Sequence, residues 1–131
     1  MNLYTLVRPE HLNHHGYLFG GMLLKWVDEF AWLTASREYR GCRLVTVGMD
    51  EVRFTQSVSS GAMLRFQVNR LHQGRTAVTY GVEVFADEDG AVDERPVFNT
   101  RITFVRVDRQ GQKIPLPECG PGKDCSTNTW V

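Results

Sequence analysis

From Gly20 to about Arg37 the chain carries a helical signal whose apolar residues leave almost no polar stripe. Spaced at 100° per residue, Met22, Leu23, Leu24, Trp26, Val27, Phe30, Ala31, Trp32, Leu33 and Ala35 reach nearly every side of the cylinder. A helix that is apolar all round has to be buried all round, and one of about 18 residues is roughly 27 Å long. What can wrap this rod therefore decides the fold.

The wrapping material follows in the sequence. Leu64, Phe66 and Val68 alternate with Arg65, Gln67 and Asn69; Val78, Tyr80, Val82 and Val84 alternate with Thr79, Gly81 and Glu83. Phe98, Thr100, Ile102 and Phe104 do the same against Asn99, Arg101 and Thr103. Period two marks strands with one covered face. Further strands are expected over residues 43–54 and, shorter, over residues 3–7, with turns at Ser59-Ser60-Gly61, Gln73-Gly74 and Asp87-Glu88-Asp89-Gly90. Short connections favour antiparallel neighbours, so the chain reads as α+β, a long central helix wrapped by one curled antiparallel sheet of five to six strands. One sheet cannot cover both sides of so apolar a helix, and a domain this small has little core to spare. A homodimer with joined sheets and helices side by side is the expected remedy.

The chain has 131 residues, 42% of them hydrophobic, and balances 15 Lys and Arg against 15 Asp and Glu, which suits one neutral folded domain. Neutrality supplies no cationic stripe for a phosphate backbone, so nucleic acid is set aside as a partner. No apolar run approaches the roughly 20 residues that span a bilayer, and Met1-Asn2-Leu3-Tyr4 opens no secretory signal. The expectation is a cytoplasmic protein without membrane attachment. Cys42, Cys119 and Cys125 lack metal-like pairing and read as reduced thiols. The apolar pattern stops near Pro117, which divides a domain over residues 1–117 from a loose tail over 118–131.

Within the apolar helix Asp28 is the anomaly. A carboxylate beside Leu24, Ala31 and Trp32 is costly unless something uses or pairs it. Spacing alone leaves two readings open: a catalytic acid, or a salt bridge to Lys25 or to an arginine across an interface. Glu29, four residues after Lys25, suits an ordinary exposed helical pair. Gly20-Gly21 at the helix start leaves backbone N–H groups uncrowded for an oxygen on which charge develops, or simply permits close packing. His11, His14 and His15 crowd one loop with no carboxylate or cysteine at ligand spacing, so no metal site is expected. Neither a Gly-x-Ser-x-Gly elbow nor a dinucleotide fingerprint is present.

Several segments, taken together and in order, resemble one family. They are Asn13-x-x-Gly16-x-x-Phe19-Gly20-Gly21, Trp26-Val27-Asp28, Val45-Thr46-Val47, Val52-x-Phe54, Gly74-Arg75-Thr76, Thr103-Phe104-Val105-x-Val107-Asp108 and Pro115-x-Pro117. The set is similar to the hotdog-fold acyl-CoA thioesterases of the cytosolic acyl-CoA hydrolase type, over residues 8 to 117 or so. The resemblance implies a hotdog fold, dimers that often assemble into trimers of dimers, and hydrolysis of acyl-CoA to a free acid and CoA. It implies no cofactor, since CoA belongs to the substrate. By position Asp28 matches the family's catalytic carboxylate and Asn13 its catalytic asparagine, each supplied by a different protomer, while Gly20 and Gly21 match the site for the thioester carbonyl.

On that resemblance Asp28 activates a water or attacks directly to give a mixed anhydride. The Gly21 N–H and the helix dipole stabilise the oxyanion, and the Asn13 amide holds the water or the carbonyl. Gly74-Arg75-Thr76 looks like the family's turn near the CoA nucleotide, where Arg75 pairs with phosphate; its bland reading is a hairpin turn with a solvated arginine. Three positions depart from the family pattern: His15 stands where Asn or another small polar residue is common, Thr55-Gln56-Ser57 lacks the usual proline, and Ala77 replaces a common serine. Two other readings compete: a non-catalytic acyl-CoA or fatty-acid binder with this fold, and a hotdog hydroxyacyl thioester dehydratase, whose His-containing signature before the helix is not recognisable here.

Overall fold

The alternating segments all become strands of one sheet, and the apolar rod lies across it. The computed structural model describes residues 1–117, in the order β1 (Asn2–Leu6), a 3₁₀ turn (Pro9–His11), α1 (Gly20–Glu38), β2 (Arg43–Phe54), β3 (Met63–Gln73), β4 (Ala77–Asp87) and β5 (Arg95–Val107). This is the expected single helix with a five-stranded antiparallel sheet. The anticipated tail, with Cys119 and Cys125, lies outside the described residues; Cys42 is a free thiol. Among the described residues no helix is long and apolar enough to cross a membrane.

The core is the meeting of α1 with the inward faces of β3, β4 and β5. Leu23, Trp26, Val27, Ala31 and Ala35 of the helix join Leu64, Phe66, Val68, Val78, Tyr80, Val82, Phe98, Ile102 and Phe104 in one buried cluster. Register brings same-face residues into line, with Phe66 opposite Val84, Val68 opposite Val82 and Tyr80 opposite Ile102. The Phe66 ring meets Phe30 edge-on at 4.9 Å and Trp26 at 6.4 Å, which locks the helix onto β3.

Two features differ from the expectation. The strand order is β1-β3-β4-β5-β2, so β2 and β3 are consecutive in sequence without being neighbours. Residues 55–62 cross the mouth of the sheet to join them, a reach that eight residues at up to about 3.3 Å each cover. The helix is also not buried all round within one chain. Lys25, Glu29, Trp32 and Leu33 are exposed, because the sheet covers one side only. Along β2 only Leu44 is buried, and Val45, Val47, Val52 and Phe54 stand open to solvent on a strand whose outer edge has no partner among the described residues.

Past β5 the chain returns across the sheet's other end. The Ile114 N–H donates to the Arg106 carbonyl at 3.0 Å and the Leu116 N–H to the Arg75 carbonyl at 2.8 Å. Nearby, Arg70 donates to the Tyr39 hydroxyl, Tyr39 to Gln73 Oε1, and Gln73 Nε2 to the Pro117 carbonyl. Tyr80 donates to Glu38 Oε1 at 2.6 Å. Burial, then that hydrogen bond and the Glu38 charge, push the Tyr80 phenol well above its ordinary value; burial lifts Tyr39 as well, against the lowering by Arg70. A phenol whose pKa rises on folding contributes stability that is complete below its unfolded value of about 10 and is lost as pH climbs through the folded one. The urea midpoint should therefore be insensitive to these phenols at neutral pH and fall above about pH 10, with a shallower fall in Tyr80→Phe.

Candidate active site

The helix start is built by a small hairpin ahead of it. Leu12 and Leu18 bridge as antiparallel partners, and Asn13 opens the turn between them. The Asn13 N–H donates to the Tyr17 carbonyl at 2.7 Å, and the Gly16 N–H to the Asn13 carbonyl at 3.1 Å. Gly16 holds φ +86°, a left-handed conformation that costs a residue with a Cβ and not a glycine.

The Asn13 side chain is half-used by this turn. Its Oδ1 accepts from the His15 N–H at 2.9 Å and the Tyr17 N–H at 3.2 Å. Two backbone donors on one oxygen fix which end of the amide is which, since a flipped NH₂ would face both. The Nδ2 group is the end left to donate outward.

At the helix itself, Phe19 has no side-chain acceptor to offer as a cap, and its carbonyl takes the Met22 and Leu23 N–H groups at 3.0 and 3.2 Å. The Gly20 and Gly21 N–H groups have no acceptor among the described residues. Both glycines also meet a packing demand: a Cβ on Gly21 would lie 2.6 Å from the Phe19 ring, and one on Gly20 3.3 Å from the Phe54 ring. The close-packing reading of this pair is thus correct without excluding the other. Asn13, Gly20, Leu23, Phe54 and Val58 line one cleft of about 620 Å³.

Asp28 is more than two turns farther along α1 and does not line that cleft. It is only partly buried, which corrects the picture of an acid enclosed by apolar neighbours: its side of the helix runs beside the uncovered strand β2. The Trp32 Nε1–H donates to the Leu44 carbonyl at 3.0 Å, and the Thr46 hydroxyl donates to Asp28 Oδ1 at 2.7 Å. Among the described residues no Lys or Arg pairs with Asp28, so neither the Lys25 salt bridge nor another intrachain one forms. Thr46 lies in the segment Val45-Thr46-Val47, yet nothing in its spacing to Asp28 shows that β2 lies along α1.

The remaining expected residues are elsewhere. Gly74-Arg75-Thr76 forms the β3–β4 turn, closed by the Gly74 N–H on the Ala77 carbonyl at 2.7 Å. The Arg75 carbonyl receives Leu116 and the Thr76 carbonyl receives the Arg106 N–H, while the Arg75 side chain is exposed. A second cavity of about 650 Å³, with Arg43, Asp108 and Arg109 in its wall, was not foreseen. Of the histidines, His11 accepts from the Arg8 N–H through Nδ1 and sets its ring edge-on to Trp26, and the His14 and His15 rings pack together.

Comparison with known proteins gives concordant results. The family model described as Thioesterase superfamily matches residues 15–92. Acyl-coenzyme A thioesterase 11 of Mus musculus is 32% identical over 116 residues, which is 88% of this chain and 19% of that protein. The chain spans about a fifth to a third of the length of the first curated relatives it matches. A hexameric hotdog-fold thioesterase of Campylobacter jejuni superposes with a TM-score of 0.76 at 32% identity, covering 88% of this chain and 89% of that one. An acyl-CoA hydrolase of Staphylococcus aureus, solved with butyryl-CoA, CoA and CoA disulfide, gives 0.82 at 27% identity, covering 95% and 75%. Variants of that enzyme carrying alanine in place of an asparagine, an aspartate or a threonine are also similar structures.

The turn that presents Asn13 is the part most open to a local test. Gly16→Ala should cost about 1–2 kcal/mol by forcing a Cβ into the left-handed region, read as a lower urea midpoint.

Proposed function

Because the chain belongs to the thioesterase superfamily, we propose that it is an acyl-CoA thioesterase, hydrolysing acyl-CoA to a free carboxylic acid and CoA. The observation that carries this reading is Asp28, a carboxylate oriented by Thr46 and with no Lys or Arg neutralising it among the described residues. In the S. aureus enzyme the asparagine and aspartate replaced by alanine stand fifteen residues apart, the separation of Asn13 and Asp28 here. Its replaced threonine follows the aspartate at seventeen residues, and Thr46 follows Asp28 at eighteen.

A thioester is already activated, so the site has to supply a base, a positioned water and a home for the oxyanion. Thr46 occupies Oδ1 of Asp28 and leaves Oδ2 to take a proton from water. The resulting hydroxide attacks the carbonyl carbon, and charge moves onto the carbonyl oxygen. The N–H groups of Gly20 and Gly21 and the positive end of α1 receive it. The Asn13 Nδ2 donates to that carbonyl or to the water, since its oxygen is already committed. Collapse breaks the C–S bond, and the proton held by Asp28 passes to the departing CoA thiolate. No cofactor is needed. Gly74, Arg75 and Thr76 are assigned to the CoA moiety, with Arg75 on phosphate.

One chain does not bring Asn13 and Asp28 to a common cleft. The reading therefore includes a homodimer in which Asn13 of one protomer serves Asp28 of its partner. The open edge and exposed valines of β2 are the surface that a second copy would cover. Such dimers are proposed to assemble further into trimers, since the C. jejuni relative is a hexamer, and the cytosol is the proposed location, after the relative that carries that word in its name.

Thiol release from a panel of acyl-CoAs tests the reaction. Asp28→Asn should lose at least about 10²-fold in kcat. Asn13→Asp keeps the acceptor for both turn N–H groups while removing the donor, so it should fold like the wild type and lose a comparable factor. An active Asp28→Asn variant would overturn the assignment, and tight binding without turnover would favour the binder. Light scattering should show a dimer or a multiple of one, with no monomer; a stable monomer would sink the shared site.

A further inference from the structure

Residues 55–62 cross from β2 to β3 outside any strand ladder, yet Thr55, Gln56, Ser57 and Val58 form one wall of the Asn13 cleft. A segment of this kind needs anchors of its own, and Thr55-Gln56-Ser57 contains no proline to stiffen it. Its first anchor is the Thr55 N–H, which donates to the Val97 carbonyl at 2.9 Å. At the far end the Gly61 N–H donates to Val7, and Val58 is buried between.

The middle is held by Arg95 at the start of β5. Its Nε donates to Glu88 Oε1 at 2.7 Å, and a terminal nitrogen donates to the same oxygen. The other terminal nitrogen reaches Gln56 Oε1, and the Ser57 carbonyl accepts from the first at 2.8 Å. Glu88 in turn accepts from the Ser59 N–H at 3.4 Å. One planar fork thus ties Gln56 and Ser57 to the rim of the sheet, a job that suits a guanidinium and not an ammonium, and Glu88 adds Ser59.

The clamp is connected to Asn13 through the small hairpin that Leu12 and Leu18 form. The Val58 carbonyl accepts the Leu18 N–H at 2.8 Å, and Leu18 pairs with Leu12, the residue before Asn13. We infer that Arg95, fixed by Glu88, is a positioning residue that sets the Asn13 donor through the 55–58 wall. It touches no reacting atom. This inference rests on the thioesterase reading for its effect on rate, though not for its effect on the loop.

The test compares Arg95→Gln and Arg95→Lys in the full chain by melting temperature, by acyl-CoA kinetics and by amide hydrogen exchange at Leu18. Lysine keeps the charge beside Glu88 and loses the fork. The expected result is faster Leu18 exchange in both variants, about tenfold lower kcat in both with KM within about threefold, and a melting temperature restored by lysine alone. A merely structural ion pair predicts instead that lysine restores everything, and that outcome overturns the proposal. Unchanged Leu18 exchange in Arg95→Gln overturns it too, whatever the kinetics. If the wild type hydrolyses no acyl-CoA, the thioesterase reading fails while the exchange result still decides the clamp.

Discussion

A nineteen-residue helix with apolar side chains on every face meets a sheet that can cover only one of its sides, and the rest of the architecture follows from that mismatch. The buried half, from Leu23 to Ala35, is satisfied by β3, β4 and β5. The other half lies beside β2, where Trp32 remains 42% exposed although its indole N–H has found the Leu44 carbonyl. A chain alone thus leaves an apolar seam along the helix and a strand edge next to it, the combination that proteins ordinarily cover.

That seam is also where Asp28 sits. An acid placed deep in the core would be driven to its neutral form by desolvation or would demand a buried cation. At the edge it needs neither: a threonine hydroxyl orients one oxygen, and solvent reaches the side chain. On the proposed reading, a second protomer then supplies the enclosure, so that the acid is dehydrated only in the assembled site. On the same reading Asp28 has no need to line the cleft under Asn13 within one protomer, since the two meet across a pair.

Much of this was legible in the residues. The all-apolar helix and the period-two segments locate the elements, because both signals depend on local burial alone, although β3, β4 and β5 run three or four residues past the alternating stretches. The order of strands was not, since β2 and β3 are joined by a crossing whose length alone does not distinguish it from an ordinary connection. Asp28 and the glycine pair stood out as residue types in odd places and Asn13 through the family resemblance, whereas Thr46 and Arg95 did not. A threonine in a strand and an arginine at a strand start are unremarkable until β2 is known to run along α1 and residues 55–58 are known to wall a cleft. Roles that arise from tertiary adjacency leave no periodic trace.

The Asn13 turn shows how a polar side chain can be given one chemical sense. An amide presents both a donor and an acceptor, and in open solvent either can face a ligand. Here the oxygen is spent on two backbone N–H groups of its own turn, which both stabilises the hairpin and leaves only N–H to face outward. The neighbouring helix start contributes N–H groups and no acceptor. Donors of this kind favour an oxygen that gains negative charge over one that stays neutral, since charge-assisted hydrogen bonds are roughly twice as strong as neutral ones. On the thioesterase reading these donors hold the oxyanion better than the carbonyl from which it forms, and that difference, more than binding itself, is what lowers a barrier.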